Sequence, residues 1–191
     1  MGKKYREITP ELKDFIEQQK IFFVATATAT SRINISPKGL DTLRILGPQR
    51  LIWLNLTGSG NETAAHLKVD GRITLMFCSF EGDPLILRLY GKGTTIHPWE
   101  KKWEELIKLF PSLPGSRQLI EMIVDLVSTS CGFGVPLFQF KADREHLIRW
   151  ANKKGEKGIQ QYWQQKNAVS IDGISTEFSI PKDPHIPLPQ P

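Results

Sequence analysis

Residues 51–67, LIWLNLTGSGNETAAHL, decide the fold, because three kinds of local structure follow one another within them. LIWLNL is typical of a buried strand, TGSGN of a loop rich in glycine and hydroxyl groups, and ETAAHL of a helix start. Common phosphate-binding motifs share this order of strand, glycine loop and helix. This loop lacks the third glycine of GxGxxG and the Gly-Lys-Ser/Thr of a Walker loop, so neither nucleotide fingerprint is present.

Two interpretations of the loop remain open from the local sequence. In the first, Ser59 and Glu62 form a capping box that only starts the helix. In the second, the N–H groups at the helix start, the helix dipole and the hydroxyls of Ser59 and Thr63 receive a phosphate. A carboxylate at Glu62 opposes an anion unless it points away, so the second interpretation needs a cation nearby.

Two cations outside the loop are candidates for that role. Lys38 lies on a turn in SPKG, which presents its ammonium outward. Arg88 lies on an alternating strand in LILRLYG and faces opposite to its leucine neighbours, where its planar donors suit a phosphate or a ring carbonyl. The alternative for either residue is an ordinary exposed charge.

The sequence around residues 51–67 has the pattern of a small antiparallel barrel. Thr9-Pro10-Glu11 predicts a short opening helix, with a threonine cap and a proline in its first turn. Strand-like runs separated by tight turns then follow. They number six: IFFVATATAT, INIS, LRIL, LIWLNL, RITLMFCSF and LILRLYGKGTTI.

After His97-Pro98 the apolar residues recur with helical spacing, which predicts helices. One predicted face holds Trp99, Trp103, Leu106, Ile107 and Phe110, and another holds Leu119, Ile120, Ile123, Val124 and Val127. Further helical segments are expected near residues 147–150 and 159–163. CGFGVPLFQF lies before them as a glycine-interrupted apolar segment, and the proline-rich tail, residues 179–191, is expected to be extended.

Composition excludes several classes of function. The chain has 191 residues, a net charge of +5 and a sequence pI near 9.2, yet its basic residues form no stripe with interleaved aromatic residues, which disfavours nucleic-acid binding. Cys78 and Cys131 lie far apart, so a disulfide framework or zinc site is not indicated. The four histidines show no ligand spacing, and no metal is expected. The amino terminus lacks a signal-peptide core, so we expect a cytoplasmic protein without a membrane span.

Several motifs together resemble the pyridoxamine 5'-phosphate oxidase-like FMN-binding split-barrel family. They are NISPKG, LIWLNLTGSGNETAAHL, GRITLMFCSFEGDP and LILRLYGKG, and they arrive in the family's order over roughly residues 20–97. CGFGVPLFQF and KNAVSIDG in the second half resemble one branch of this superfamily. The resemblance implies a six-stranded antiparallel split β-barrel with flanking helices, mainly β, in residues 1–97. Residues 98–191 are then a helical C-terminal extension of the same domain, packed on the barrel.

The resemblance also implies an FMN that lies in a groove completed by a second subunit of a homodimer. The positions that match the family's flavin and phosphate contacts are Ser36, Lys38, Gly39, Ser59, Gly60, Asn61, Thr63, Arg88, Cys131 and Phe133. An FMN-dependent oxidoreductase that exchanges a hydride with a small molecule is the function this implies. A non-catalytic flavin carrier or sensor, or a split barrel that binds haem or the deazaflavin F420, is the alternative.

Two departures from the family pattern argue against oxidation of vitamin B6. True pyridoxamine phosphate oxidases have an arginine and a lysine in the phosphate loop, where this chain has Asn61, Glu62 and Thr63. Their carboxy-terminal segment with tryptophan, histidine and arginines has no counterpart in IPKDPHIPLPQP.

Overall fold

The predicted strands assemble into one antiparallel sheet in the computed structural model, which describes residues 2–176 and 178. The strands are β1 (Lys4–Tyr5), β2 (Phe22–Thr26), β3 (Asn34–Lys38), β4 (Leu43–Gly47), β5 (Arg50–Leu56), β6 (Arg72–Cys78), β7 (Ile86–Ile96) and β8 (Ser116–Ser130). The helices are α1 (Pro10–Gln18), α2 (Glu62–Val69), α3 (Lys101–Leu106) and α4 (His146–Tyr162). A 3-10 turn, Ile107–Leu109, follows α3, and a π-helical segment, Trp163–Asn167, follows α4.

The sheet has eight strands rather than the six predicted, and it is not closed. Its order is β3-β2-β6-β7-β8-β5-β4, with β1 paired to β8. Strands β2 to β7 confirm the six predicted runs, whereas β1 and β8 were not predicted as strands. The two ends of the order, β3 and β4, do not pair with each other. Edge strand β3 contains Pro37, which suits an edge because proline donates no ladder hydrogen bond.

The helix predicted over residues 119–127 is wrong, because that segment lies within β8. This strand pairs with β5 on one side and β7 on the other, so it occupies the middle of the sheet. Leu119, Ile120 and Met122 are all fully buried, although they do not all lie on one face. A central strand buried on both faces carries a nearly continuous apolar run, which hydrophobic periodicity does not distinguish from a helix.

The apolar core forms where α1 covers one face of the sheet. Thr9 caps α1 as predicted, its Oγ1 accepting a hydrogen bond from the Leu12 N–H at 3.4 Å. Leu12 and Ile16 then pack into the core beside the rings of Phe22 and Trp53, whose centroids lie 6.3 Å apart. This packing fixes β2 and β5, and with them the loop that follows β5.

The C-terminal segment is fastened to that loop. Trp163 Nε1 donates a hydrogen bond of 2.7 Å to Thr57 Oγ1, and both groups are buried. Gly155 interrupts α4 with a φ of 66°, a left-handed conformation that glycine tolerates. The predicted extended tail, residues 179–191, lies outside the described residues. Within the described residues, none of the helices is both long enough and apolar enough to cross a membrane.

Candidate functional site

The strand-to-helix loop of residues 57–61 opens onto a cavity of about 560 Å³, here named the loop cavity. The end of β3, the end of β5, the first turn of α2, the start of β8 and the C-terminal segment all contribute to its wall. Six of the predicted site residues meet here: Ser36, Lys38, Ser59, Gly60, Asn61 and Thr63. Further polar residues of the lining are Asn34, Asn55, Glu62, Arg117, Lys166 and Ser170.

Two cations share the loop cavity without a carboxylate partner. Burial, followed by the nearby positive charge of Arg117, lowers the pKa of Lys38 to about 8. Burial lowers the pKa of Arg117 to about 9, and only 2% of this side chain is exposed. Among the described residues, neither cation forms an ion pair with an aspartate or glutamate. Buried charges are normally paired, so this site is poised for an anion.

The neutral partners of the two cations hold them in place. Lys38 Nζ donates to Asn55 Oδ1 at 3.2 Å. One terminal nitrogen of Arg117 donates to the Gly60 carbonyl at 2.9 Å and to Asn167 Oδ1 at 2.7 Å. Arg117 Nε and Asn61 Oδ1 are buried and have no hydrogen-bond partner in the described part of the chain. A buried unpartnered donor on a guanidinium is costly, and an anion in the cavity offers it an acceptor.

The predicted capping box does not form. Helix α2 begins at Glu62, with Asn61 as its N-cap residue and no side-chain cap hydrogen bond. The Glu62 carboxylate instead accepts the Ile171 N–H, at 3.1 Å and 3.2 Å from its two oxygens. The first N–H groups of α2 therefore lack a side-chain cap at the end of the helix where the dipole favours negative charge.

Thr63 is prepared as a hydrogen-bond donor. Its Oγ1 accepts a hydrogen bond of 3.2 Å from Asn34 Nδ2, which also donates to Thr26 Oγ1 at 3.1 Å. Because a threonine hydroxyl carries a single proton, this contact occupies a lone pair and leaves the proton for another acceptor. The Thr63 hydroxyl lies on the wall of the loop cavity, where an anion would supply that acceptor.

A second and larger cavity of about 830 Å³ adjoins the first, and Lys38, Leu56 and Gly58 line both. We name it the strap cavity, because residues 131–145, which connect β8 to α4, cross one side of it. The Phe138 N–H donates to the Phe80 carbonyl at 2.9 Å, and the rings of the two residues lie 5.6 Å apart. Leu40, on the opposite side, has a left-handed backbone with a φ of 61°, which is a strained conformation for leucine.

The remaining predicted site residues lie apart from the loop cavity. Gly39 lines the strap cavity only. Arg88 donates to Ser130 Oγ at 3.1 Å and, like Cys131 and Phe133, lines neither cavity. Cys131 is exposed and Phe133 is 81% exposed. The structure of one chain thus does not bring Arg88, Cys131 and Phe133 together with the phosphate-side residues, and their contact with a flavin stays a prediction.

Sequence reasoning missed three polar residues of the site: Asn55, Arg117 and Asn167. Arg117 escaped notice because its segment was assigned to a helix, although it is the second residue of β8. An arginine at the start of a long apolar strand-like run is the signal that could have found it. Asn167 reaches the loop from more than a hundred residues away, and nothing in the local sequence indicates that contact.

Comparisons with known proteins agree on one family. The family model described as pyridoxamine 5'-phosphate oxidase matches residues 8–131. The pyridoxamine 5'-phosphate oxidase family protein ustO of Aspergillus flavus is 34% identical over 197 residues, which cover 94% of this chain and 79% of that protein.

Solved structures show the same fold at lower identity. HupZ of Group A Streptococcus superposes with a TM-score of 0.53 at 21% identity, covering 64% of this chain and 99% of its own. A Lactobacillus delbrueckii protein whose name also refers to pyridoxamine 5'-phosphate oxidase gives 0.52 at 15% identity, covering 64% and 94%. At these identities the likeness concerns the fold alone. The family match spans seven of the eight strands and the ustO relative spans nearly the whole chain, and the protein therefore belongs to the pyridoxamine 5'-phosphate oxidase family.

Proposed function

We propose that this protein is an FMN-binding flavoprotein that holds the FMN phosphate in the loop cavity and serves as an oxidoreductase. The observation that carries the proposal is the pair of cations, Lys38 and Arg117, which share the cavity without a carboxylate partner. A phosphate monoester carries nearly two negative charges at neutral pH and three acceptor oxygens. It would compensate both cations and accept the unpartnered Arg117 Nε–H.

The donor set also accounts for the departure of this loop from the family pattern. Asn61, Glu62 and Thr63 replace the basic residues of true pyridoxamine phosphate oxidases, which leaves the loop itself without a cation. Lys38 from β3 and Arg117 from β8 reach the same cavity from other strands, and Lys166 lines it from the C-terminal segment. The positive charge that a flavin phosphate needs is therefore present, although it comes from different elements.

FMN would supply hydride or electron transfer, and the protein would supply binding and a protected space. Residues of the loop cavity hold the phosphate and so fix the depth at which the cofactor sits. The strap cavity adjoins that site through Lys38 and has an aromatic wall of Phe80, Phe138 and Phe140. Its size suits a small organic molecule, and it is our candidate for the substrate pocket.

The composition of the two cavities favours a flavin over haem. Haem iron in proteins is ligated by histidine, cysteine, methionine or tyrosine. None of these residue types is among the described residues that line the loop cavity or the strap cavity. The deazaflavin F420 also carries a phosphate, so competition between FMN and F420 distinguishes these two cofactors.

The first test compares FMN with riboflavin, which has the same ring system but no phosphate. We expect FMN to bind about 100-fold more tightly or better, because hydrogen bonds to charged groups contribute roughly 1.5–3 kcal/mol each. Fluorescence quenching of each flavin during titration measures this ratio, and the absorption spectrum of gently purified protein shows whether a flavin is retained. Equal affinities would remove the phosphate from the loop cavity, and no binding of either flavin would sink the proposal.

Replacing Thr63 with valine tests the hydroxyl donor without changing the shape of the side chain. We expect FMN to bind about 5–10-fold more weakly, the effect of one lost hydrogen bond, while riboflavin affinity is unchanged. Thr94→Val is a matched control, because Thr94 is exposed on β7 and lines neither cavity. The same loss for riboflavin as for FMN would show that Thr63 supports the fold of the site rather than the phosphate.

We also propose that the protein works as a homodimer. Phe133 and Leu137 in the strap are 81% and 75% exposed, which leaves large apolar side chains in water on the single chain. A second copy that covers this face would bring Phe133, Cys131 and Arg88 within the reach of one flavin site. Light scattering after size-exclusion chromatography tests this, and a monomer in the presence of FMN would contradict it.

A further inference from the structure

Asn167 is the most fully engaged polar side chain around the loop cavity. It is completely buried at the end of the π-helical segment. Its Oδ1 accepts from Arg117 at 2.7 Å, and its Nδ2 donates to the Gly58 carbonyl at 3.1 Å. Its own backbone carbonyl accepts from Thr176 Oγ1 at 2.7 Å. One carboxamide thus connects the guanidinium on β8, the glycine loop and the C-terminal segment.

The chemical type of residue 167 matters as much as its contacts. Aspartate has nearly the same shape as asparagine and is the more usual partner of a buried arginine, since it neutralises the charge. Asparagine accepts the same hydrogen bond and leaves the guanidinium charge uncompensated. The second acceptor of Arg117, the Gly60 carbonyl, is neutral as well. The guanidinium is therefore fixed in direction by two neutral acceptors, and its charge is not cancelled by either.

We propose that Asn167 is a positioning residue that aims the Arg117 guanidinium into the loop cavity while keeping its charge available for a phosphate. This inference rests on the proposed function, because FMN is the phosphate ligand it assumes. It assigns the C-terminal segment a part in the anion site that the strand-to-helix loop cannot supply alone. The Nδ2 contact with Gly58 holds the loop at a fixed distance from Arg117, so the two halves of the site are kept in register.

The deciding variant is Asn167→Asp, which keeps the size of the side chain and adds a carboxylate beside Arg117. We expect FMN to bind about 30–100-fold more weakly, because the new ion pair competes with the phosphate for the same charge. Riboflavin affinity should not change. The melting temperature of the protein without ligand should stay level or rise, because a buried cation gains a partner. A residue with only a structural role would not separate FMN from riboflavin in this way.

Two further variants complete the experiment. Asn152→Asp introduces the same charge at an exposed position of α4 and should leave both flavin affinities at the wild-type values. Asn167→Ala keeps the charge of Arg117 but removes its orientation, and we expect about a tenfold loss for FMN and none for riboflavin. The alanine variant keeps the inference testable if the aspartate variant does not fold.

Inorganic pyrophosphate separates failure of this inference from failure of the proposed function. If wild-type protein binds FMN and Asn167→Asp binds it equally well, the inference is wrong and the proposed function stands. If wild-type protein does not bind FMN, the proposed function is wrong, and the thermal shift caused by pyrophosphate decides the inference. Pyrophosphate that stabilises the wild type and not Asn167→Asp supports the positioning role, whereas equal shifts or no shift in either protein overturn it.

Discussion

Replacing Arg117 with methionine is expected to weaken FMN binding by about 100-fold or more, while riboflavin affinity changes little. The guanidinium is buried, carries its charge without a carboxylate partner and has an unpartnered Nε–H. A phosphate would receive charge-assisted hydrogen bonds from it, which are roughly twice as strong as neutral ones. Methionine retains much of the volume of the side chain but offers no donor. Titration of each flavin with the variant, followed by fluorescence, measures both affinities.

The stability of the same variant shows whether the loss concerns binding alone. Removing Arg117 leaves the Gly60 carbonyl and Asn167 Oδ1 without their donor, which destabilises the fold. It also removes the cost of burying a charge, which stabilises the fold. These effects oppose each other, so we expect a folded protein with a cooperative melting transition. Arg6→Met, an exposed change of the same charge, is the control. Wild-type FMN affinity in Arg117→Met would contradict the phosphate site.

The part of the site that the sequence predicts is the part built from neighbours along the chain. Ser59, Gly60, Asn61 and Thr63 follow β5 directly, so a strand, a glycine loop and a helix start place them together. Lys38 was identified independently from its turn, and it meets them across the loop cavity. The strands β2 to β7 were predictable for a related reason. Each has one or both ends marked by turn residues, and local signals of this kind do not depend on the rest of the fold.

The part that the sequence does not predict depends on pairings between distant segments. The apolar run of β8 fits a helix as well as a central strand, and only its neighbours β5 and β7 decide between them. Arg117 was lost with that assignment. The fate of Glu62 is a similar case. Ser59 and Glu62 satisfy the capping-box pattern, but the N–H of Ile171 competes for the carboxylate and wins. Tertiary contacts overrode a local motif.

The pH dependence of FMN binding follows from the two lowered pKa values. In the ligand-free protein Lys38 loses its proton near pH 8 and Arg117 near pH 9. FMN affinity should therefore fall as the pH rises above about 8, because the ligand must then bring a proton back to the site. Riboflavin should show no such fall over the same interval. A flat FMN profile between pH 7 and 9.5 would place the phosphate away from these cations.

Lys38→Met is expected to stabilise the ligand-free protein and to weaken FMN binding, two effects of opposite sign. The folded-state pKa of Lys38, about 8, lies below its ordinary value of 10.5. At pH 7 the ammonium is therefore held in an unfavourable environment, and replacing it should raise the free energy of unfolding by about 1–3 kcal/mol after the lost hydrogen bond to Asn55 is allowed for. FMN affinity should fall about 30–100-fold, because the phosphate loses one of its two buried cations.

The pH dependence of stability identifies Lys38 as the cause. Between its folded pKa near 8 and its unfolded pKa near 10.5, the unfolded chain binds more protons than the folded one, so the Lys38 contribution to stability rises with pH. Urea unfolding of the ligand-free proteins at pH 7 and pH 9.5 should show that the advantage of Lys38→Met over the wild type shrinks at the higher pH. Lys153→Met, an exposed lysine on α4, should show no advantage at either pH. A Lys38→Met protein that is less stable than wild type at pH 7, yet binds FMN normally, would mean that the lysine serves the fold. The predicted result would mean that this chain gives up stability to keep an uncompensated cation at the site where a phosphate binds.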